Sequence, residues 1–134
     1  MLVKEVPLTT VLQVRRDVMY PEENIDFVKL EGDENGLHLG LYADEQLVSV
    51  ISVFEQGTTV QFRKFATVTA MQGKGYGTQL LEYVFDWAIR NGKKRIWCNA
   101  RVSATALYLK FGMQPTGSTW QKYGLEFIKM EKQF

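Results

Sequence analysis

The stretch Met71–Val84, MQGKGYGTQLLEYV, decides how the chain is read. Gly73, Gly75 and Gly77 alternate at its start, and an apolar pattern of helical period follows at once. Tyr76, Leu80, Leu81, Val84, Phe85, Ala88 and Ile89 recur at spacings of three and four, which predicts an amphipathic helix over residues 76–90. Glycine is unfavourable in a helix interior, so the cluster belongs at the helix mouth; Asn91-Gly92 stops the other end, with Gly92 as a left-handed cap. The first N–H groups of a helix lack internal partners and carry the positive end of its dipole. Glycines there let the backbone approach an anion closely and adopt positive φ. Two physical readings stay open: a seat for a phosphate-bearing ligand, or a tight turn that uses glycine for geometry alone.

Upstream, Leu37, Leu39 and Leu41 alternate, ADEQ turns, and Leu47–Phe54 is a β-branched run, which makes a hairpin. A further strand over 59–68 follows the turn at Gly57, so the centre is an antiparallel meander. PLTTVLQVRRDVMYP reads as a first helix, capped near Thr9 or Thr10 and stopped before Pro21, with Val11, Leu12, Val14 and Val18 as its buried stripe. EENIDFVKL is a short second helix and EGDENG a turn. Downstream, RIWCNA is a strand, SATALYLKF a helix ended by Gly112, and STWQKYGLEFIKMEKQ two final strands. The expected order is α-α-β-β-β-α-β-α-β-β.

The 134 residues suit one domain, 1–134, of ordinary globular composition, with 46% hydrophobic and 23% charged residues. A net charge of +1 lacks the basic excess of a nucleic-acid-binding domain. Cys98 is the sole cysteine and His38 the sole histidine, so neither a disulfide framework nor a zinc site is expected. The N-terminal stretch does not read as a signal peptide, and no run approaches the ~20 apolar residues of a membrane span. A cytoplasmic protein with no membrane partner is the expectation.

Two phosphate loops do not fit. A P-loop needs Gly-Lys-Ser/Thr, and Lys74 is followed by Gly75; the dinucleotide fingerprint needs G-x-G-x-x-G, and here the run is G-x-G-x-G. QGKGYG, Gln72–Gly77, instead resembles Q/R-x-x-G-x-G/A, the acyl-CoA loop of the GNAT N-acetyltransferase family. The element order is similar to that family's along nearly the whole chain. NARVSATALYLKFGM resembles its A-x-x-x-Y-x-x-x-G-F segment through Ala104, Tyr108 and Gly112, with Met113 replacing the phenylalanine. The resemblance implies an α+β fold: a mixed, mostly antiparallel sheet of about six to seven strands flanked by about four helices.

It also implies acetyl-CoA as co-substrate and no metal. The pyrophosphate would lie on the amides of Gly73, Lys74, Gly75, Tyr76, Gly77 and Thr78, with Gln72 opening the motif; the Lys74 side chain either adds a charged contact or is solvated. FATVTAMQ aligns with L-A-V-x-P-x-Y-Q, which sets Phe65, Ala66 and Thr67 along the pantetheine arm, with Thr67, Thr69 and Met71 as departures. The family opens a wedge between this strand and the one that follows the helix, which Asn99 and Arg101 end. Arg101 stands where the family often has asparagine, so Asn99 either takes over a cofactor contact or caps the strand.

Tyr108 is the expected acid, protonating or hydrogen-bonding the thiolate as it leaves; the alternative is a core tyrosine with a polar tip. Glu55 is the candidate base, or else a turn carboxylate, and main-chain N–H groups near Ala66 and Thr67 would polarise the thioester carbonyl. Cys98 is expected buried and inert, and His38 a solvated or hydrogen-bonded strand residue. Trp120, Tyr123, Tyr20, Arg15 and Arg16 are candidates for an acceptor pocket, the two arginines for gripping a carboxylate; packing is the competing role of each.

The function implied is transfer of an acetyl group to a primary amine, of a small molecule or a peptide, by direct attack in a ternary complex. The rival readings are a non-catalytic acyl-CoA-binding module on the same fold and a phosphate-binding regulatory domain. The near-neutral charge argues against a polycationic or polyanionic acceptor unless a local patch overrides it. Edge strands of this fold often pair, so a homodimer is compatible with the resemblance.

Overall fold

The computed structural model describes residues 1–134. Its elements are β1 (Leu2–Glu5), α1 (Leu8–Met19), α2 (Ile25–Val28), β2 (Leu37–Ala43), β3 (Gln46–Gln56), β4 (Thr59–Thr67), α3 (Tyr76–Arg90), β5 (Arg95–Arg101), α4 (Thr105–Lys110), β6 (Gln114–Lys122) and β7 (Leu125–Gln133). The strands form one sheet in the order β1-β2-β3-β4-β5-β7-β6. Every pairing is antiparallel except β4 with β5. The expected α+β architecture, with a sheet of six to seven strands, is present, and the element order has one strand more than expected.

That strand is β1. Its four residues carry no alternation, and three of them are exposed. It forms because β2 offers it a ladder, from Leu2 opposite Tyr42 to Glu5 opposite Leu39. α1 starts at Leu8 behind an extended Pro7, without a side-chain cap, so Thr9 and Thr10 are helical residues and not caps. α2 does have one: the Asn24 side chain accepts from Phe27 N–H at 3.1 Å.

The helices cover both faces of the sheet. On one, Leu80, Leu81, Val84 and Phe85 of α3 and Tyr108 of α4 pack with Leu39, Leu41, Ile51, Val53, Val60 and Phe62. On the other, Val11 and Val14 of α1 pack with Val6, Val50 and Ala66. Val50 and Ile51 therefore serve opposite faces, as the period of a strand requires. Ile89, expected in the buried stripe of α3, lies outside it, 57% exposed.

Two irregularities in β4 prepare the site. Ser52 pairs with Arg63 and Val50 with Ala66, so Ile51 alone faces Lys64 and Phe65: a β-bulge. Lys64 takes φ +53° to make it, a left-handed conformation that costs a residue with a Cβ about 1–2 kcal/mol. β4 also pairs with β5 only from Thr59–Arg95 to Gln61–Trp97, after which the two strands part.

Candidate active site

The glycine loop spans the step from β4 to α3. Gly73 and Gly75 sit at φ +77° and +83°, and a Cβ at either would meet nothing within 4 Å, so the backbone angle is what calls for glycine. Gly77 answers to space instead: a Cβ there would stand 3.2 Å from both Phe65 Cζ and Thr67 Oγ1, because the first turn of α3 lies tight on β4. The Gln72 side chain donates to Thr67 C=O at 3.0 Å and ties the loop to the strand end. None of the N–H groups from Gly73 to Thr78 donates to a protein acceptor, and the first amide to do so is that of Gln79, to Gly75 C=O. An unbroken run of free amides at a helix N-terminus is a built anion cradle.

Beside the loop, the parting of β4 and β5 opens a cavity of about 320 Å³. Phe65, Ala66, Thr67 and Gln72 line one wall, Cys98, Asn99, Ala100 and Arg101 the other, and Ala104 and Tyr108 close it from α4. The sequence reading gathered Phe65, Ala66, Thr67, Gln72, Asn99 and Tyr108 as one site, and they surround one cavity. The free amides and the parted strands together fit a coenzyme A thioester: a cradle for its phosphates, then a slot with unpaired strand edges for its arm.

Tyr108 is 8% exposed, with its ring 5.8 Å from that of Phe62. Its hydroxyl has no partner in the protein, yet it is not sealed off and opens to the cavity it lines. Burial pushes the phenol up, Cys98 adds to this and the Arg101 charge opposes it, so the group is a neutral O–H donor at physiological pH. Cys98, also buried, is pushed up to about 12 by burial, which leaves a thiol and not a thiolate.

Glu55 is not at this site. It faces Val60 near the β3–β4 turn, at the end of β4 away from the bulge, and pairs with Lys93 at 2.6 Å. It lines neither cavity. The strand end that the reading placed at the acceptor lies at the opposite end of β3 and β4 from the cleft, so Glu55 is withdrawn as the base.

Arg15 and Arg16 do not act as a pair. Arg15 is fully buried and bonds Asp33 through both Nη atoms, while Arg16 turns outward to Asp17 and to Glu23 C=O. His38 is buried, bonded to Ser52 Oγ and Asp33 C=O.

A second cavity of about 170 Å³ adjoins the first and shares Met19, Phe62, Arg63, Lys64, Asn99, Arg101 and Phe127 with it. Tyr20, Trp120 and Tyr123, expected as acceptor-pocket candidates, line it. So do Gln61 and Lys122. Arg63 and Lys64 went unread because RK inside a strand reads as a solvated pair; only the bulge, which has no local signature, brings Lys64 into the cleft.

A family model described as an acetyltransferase (GNAT) domain matches residues 16–134. The chain belongs to the GNAT acetyltransferase family. Among curated relatives, the uncharacterized N-acetyltransferase YitI of Bacillus subtilis (strain 168) is 24% identical over 132 residues, covering 92% of this chain and 89% of the relative. The ribosomal-protein-S18-alanine N-acetyltransferase from Escherichia coli shares the fold at a TM-score of 0.83 and 16% identity, over 98% of this chain and 92% of that one. A Bacillus subtilis acetyltransferase solved in complex with CoA does so at 0.76 and 18%, over 99% and 97%. GNAT proteins as a class move acyl groups from CoA thioesters. No group of His, Cys, Asp and Glu side chains is arranged to hold a metal ion, and no helix is long and apolar enough to cross a membrane.

Proposed function

We propose that this protein transfers the acetyl group of acetyl-CoA to a primary amine that attacks directly in a ternary complex. The observation that carries the reading is the meeting, at one cleft, of the free amides Gly73–Thr78, the strands that part after Gln61 and Trp97, and the unpartnered Tyr108 hydroxyl. Acetyl-CoA supplies an activated thioester; the rest falls to the chain.

The loop amides and the α3 dipole receive the pyrophosphate, with the Lys74 ammonium beside them. The open edge of β4 at Phe65, Ala66 and Thr67 offers main-chain groups to the pantetheine arm, and Asn99 faces it from β5. Main-chain N–H groups near Ala66 and Thr67 polarise the acyl carbonyl. Tyr108, held neutral by its burial, gives its proton or a hydrogen bond to the departing sulfur. A free amine of pKa ~10.4 must lose a proton before attack; no carboxylate or imidazole lines either cavity, so that proton passes to water in the open cleft.

Calorimetric titration with acetyl-CoA, desulfo-CoA and ADP tests the reading. Micromolar binding of acetyl-CoA with much weaker ADP is expected, followed by thiol release in an amine panel. Absent binding, or ADP binding as tightly as acetyl-CoA, overturns it.

A further inference from the structure

The two cavities form one cleft with unlike ends. Tyr108 and Gln72 line only the larger part, whereas Tyr20, Trp120 and Tyr123 line only the smaller. With the acyl donor at the Tyr108 end, the aromatic end is where the acceptor arrives. Its volume, about 170 Å³, is below the 300–1,000 Å³ usual for drug-sized ligands, so it suits a small amine.

This end is strongly cationic. Lys122 belongs to it alone, and Arg63, Lys64 and Arg101 line it where it joins the larger part; no carboxylate lines it, and none of the four forms an ion pair. Arg15, behind them, has Asp33 as its own counter-charge. Lys64 is the focus. It is half-buried, carried inward by a bulge at a left-handed φ, with Nζ 5.2 Å from the centre of the Tyr20 ring. Burial and the charges of Arg63, Arg15, Lys122 and Arg101 push its ammonium down to about 8. Like charges gathered in a concave site repel one another unless a ligand supplies the opposite sign.

We infer that the acceptor amine carries an anionic group, carboxylate or phosphate, which docks on Arg63, Lys64, Arg101 and Lys122 while its apolar part lies against Tyr20, Trp120 and Tyr123. The inference deepens the acetyltransferase reading and rests on it. It also overrides the argument from net charge: the overall +1 conceals a local patch. Polycationic acceptors are repelled. The cofactor's phosphates do not account for Lys122, which lines only the aromatic end; Arg63, Lys64 and Arg101 border both parts, while the phosphate cradle, Gly73–Thr78, lies past Gln72.

The test pairs acceptors with and without the anion, with rates compared per concentration of free amine: amino acids against their amides, phosphoethanolamine against ethanolamine, with spermidine as the cationic control. Thiol release should show kcat/KM about tenfold or more higher for one anionic class, as expected for charge-assisted contacts, and the advantage should shrink with added salt. The carboxylate and phosphate pairs tell the two anions apart. Lys64→Gly should raise the acceptor KM about tenfold, well beyond any change in that of acetyl-CoA, whose cavity Lys64 also borders. Because glycine suits the bulge conformation, its Tm should stay level or rise, so a loss of affinity is not a loss of fold. Equal or better use of the neutral amines or spermidine overturns the inference, as does a Lys64→Gly effect that falls mainly on acetyl-CoA. If acetyl-CoA fails to bind, the acetyltransferase reading falls separately; glutamate and phosphoethanolamine are then titrated directly into both proteins. Weaker anion binding by Lys64→Gly still supports the site, and equal or no binding by both removes it.

Discussion

Arg15 grips Asp33 with two parallel hydrogen bonds, Nη1 to Oδ2 and Nη2 to Oδ1, each 2.9 Å long, at a site from which water is excluded. The same guanidinium donates to Val28 C=O and to Ser52 Oγ, so one side chain joins α1 to α2, to the 33–35 turn and to β3. The protons of the network can be assigned. His38 Nε2 donates to Asp33 C=O, which leaves Nδ1 to accept from the Ser52 hydroxyl, whose oxygen accepts from Arg15. This clamp fixes the end of α1, and with it Met19 and Tyr20 at the cleft.

Removing one partner strands a buried charge. Arg15→Met should destabilise the fold by about 3–5 kcal/mol, and Arg15→Met with Asp33→Leu should recover much of that, because neither charge is then left alone. Urea unfolding of the two variants beside the parent decides this; equal losses in both would mean that the pair itself is what stabilises.

The pH dependence has a definite sign. Burial alone would raise the Asp33 carboxyl, but the hydrogen bonds from Arg15 and from Leu30 N–H, with the Arg15 charge, hold it below its ordinary value. A carboxylate depressed in the folded state adds stability above its unfolded pKa, ~3.9, and gives it up as pH falls through the folded value. Thermal melts from pH 7 downward should hold steady and then drop below about pH 4. Asp33→Asn, less stable at neutral pH, should show a shallower acid limb.

Tyr108→Phe should lower kcat by about a hundredfold, the scale of a lost general acid, with acetyl-CoA affinity kept. A non-catalytic acyl-CoA-binding module has no turnover to lose, so parallel calorimetry and thiol-release assays separate the two functions. Since the phenol is pushed up by burial, its ionisation should leave no alkaline limb near neutral pH. Glu55→Gln, at the end of β3 away from the cleft and tied to Lys93, should leave kcat unchanged.

The contrast between Tyr108 and Glu55 shows what the sequence could carry. Tyr108 lies in a motif of fixed local spacing, on an element whose period sets its facing, and it was legible together with the glycine loop and the order of helices and later strands. Glu55 required knowing which end of β3 meets the cleft, a property of the bulge and the parting of β4 from β5. β1 is a strand only because β2 recruits it. Arg15 reads as a candidate to grip an acceptor's carboxylate, or as a packing residue of α1, and its actual partner, Asp33, comes from a stretch legible only as a turn. Lys64 was missed for the same reason: a non-glycine residue at positive φ leaves no mark in the local pattern.

The glycines make separable predictions. Gly75→Ala puts a Cβ into a left-handed position with open space around it, so its cost is backbone strain of about 1 kcal/mol. Gly77→Ala brings a Cβ to 3.2 Å from Phe65 Cζ and Thr67 Oγ1, so these side chains or the first turn of α3 have to give by a few tenths of an ångström. Both should weaken acetyl-CoA and ADP together, since each disturbs the loop or helix start whose amides receive phosphate in the proposed function, while Lys64→Gly should leave ADP binding unchanged. Titration of the three variants checks this, and an acetyl-CoA affinity unchanged in both loop variants would detach the cradle from the cofactor.

Cys98 lines the same cavity as Tyr108, which invites an acyl-cysteine intermediate and a two-step mechanism. Its thiol is pushed up to about 12, so at pH 8 only about one molecule in ten thousand is the thiolate that attacks a thioester. No histidine is near enough to activate it, His38 being held on β2 by Asp33 and Ser52. Incubation with acetyl-CoA in the absence of amine should therefore leave the intact mass of the protein unchanged. Iodoacetamide should label Cys98 slowly in the folded protein and rapidly once it is unfolded. A mass increase of one acetyl group on Cys98 that an added amine then removes would replace direct attack with a covalent relay.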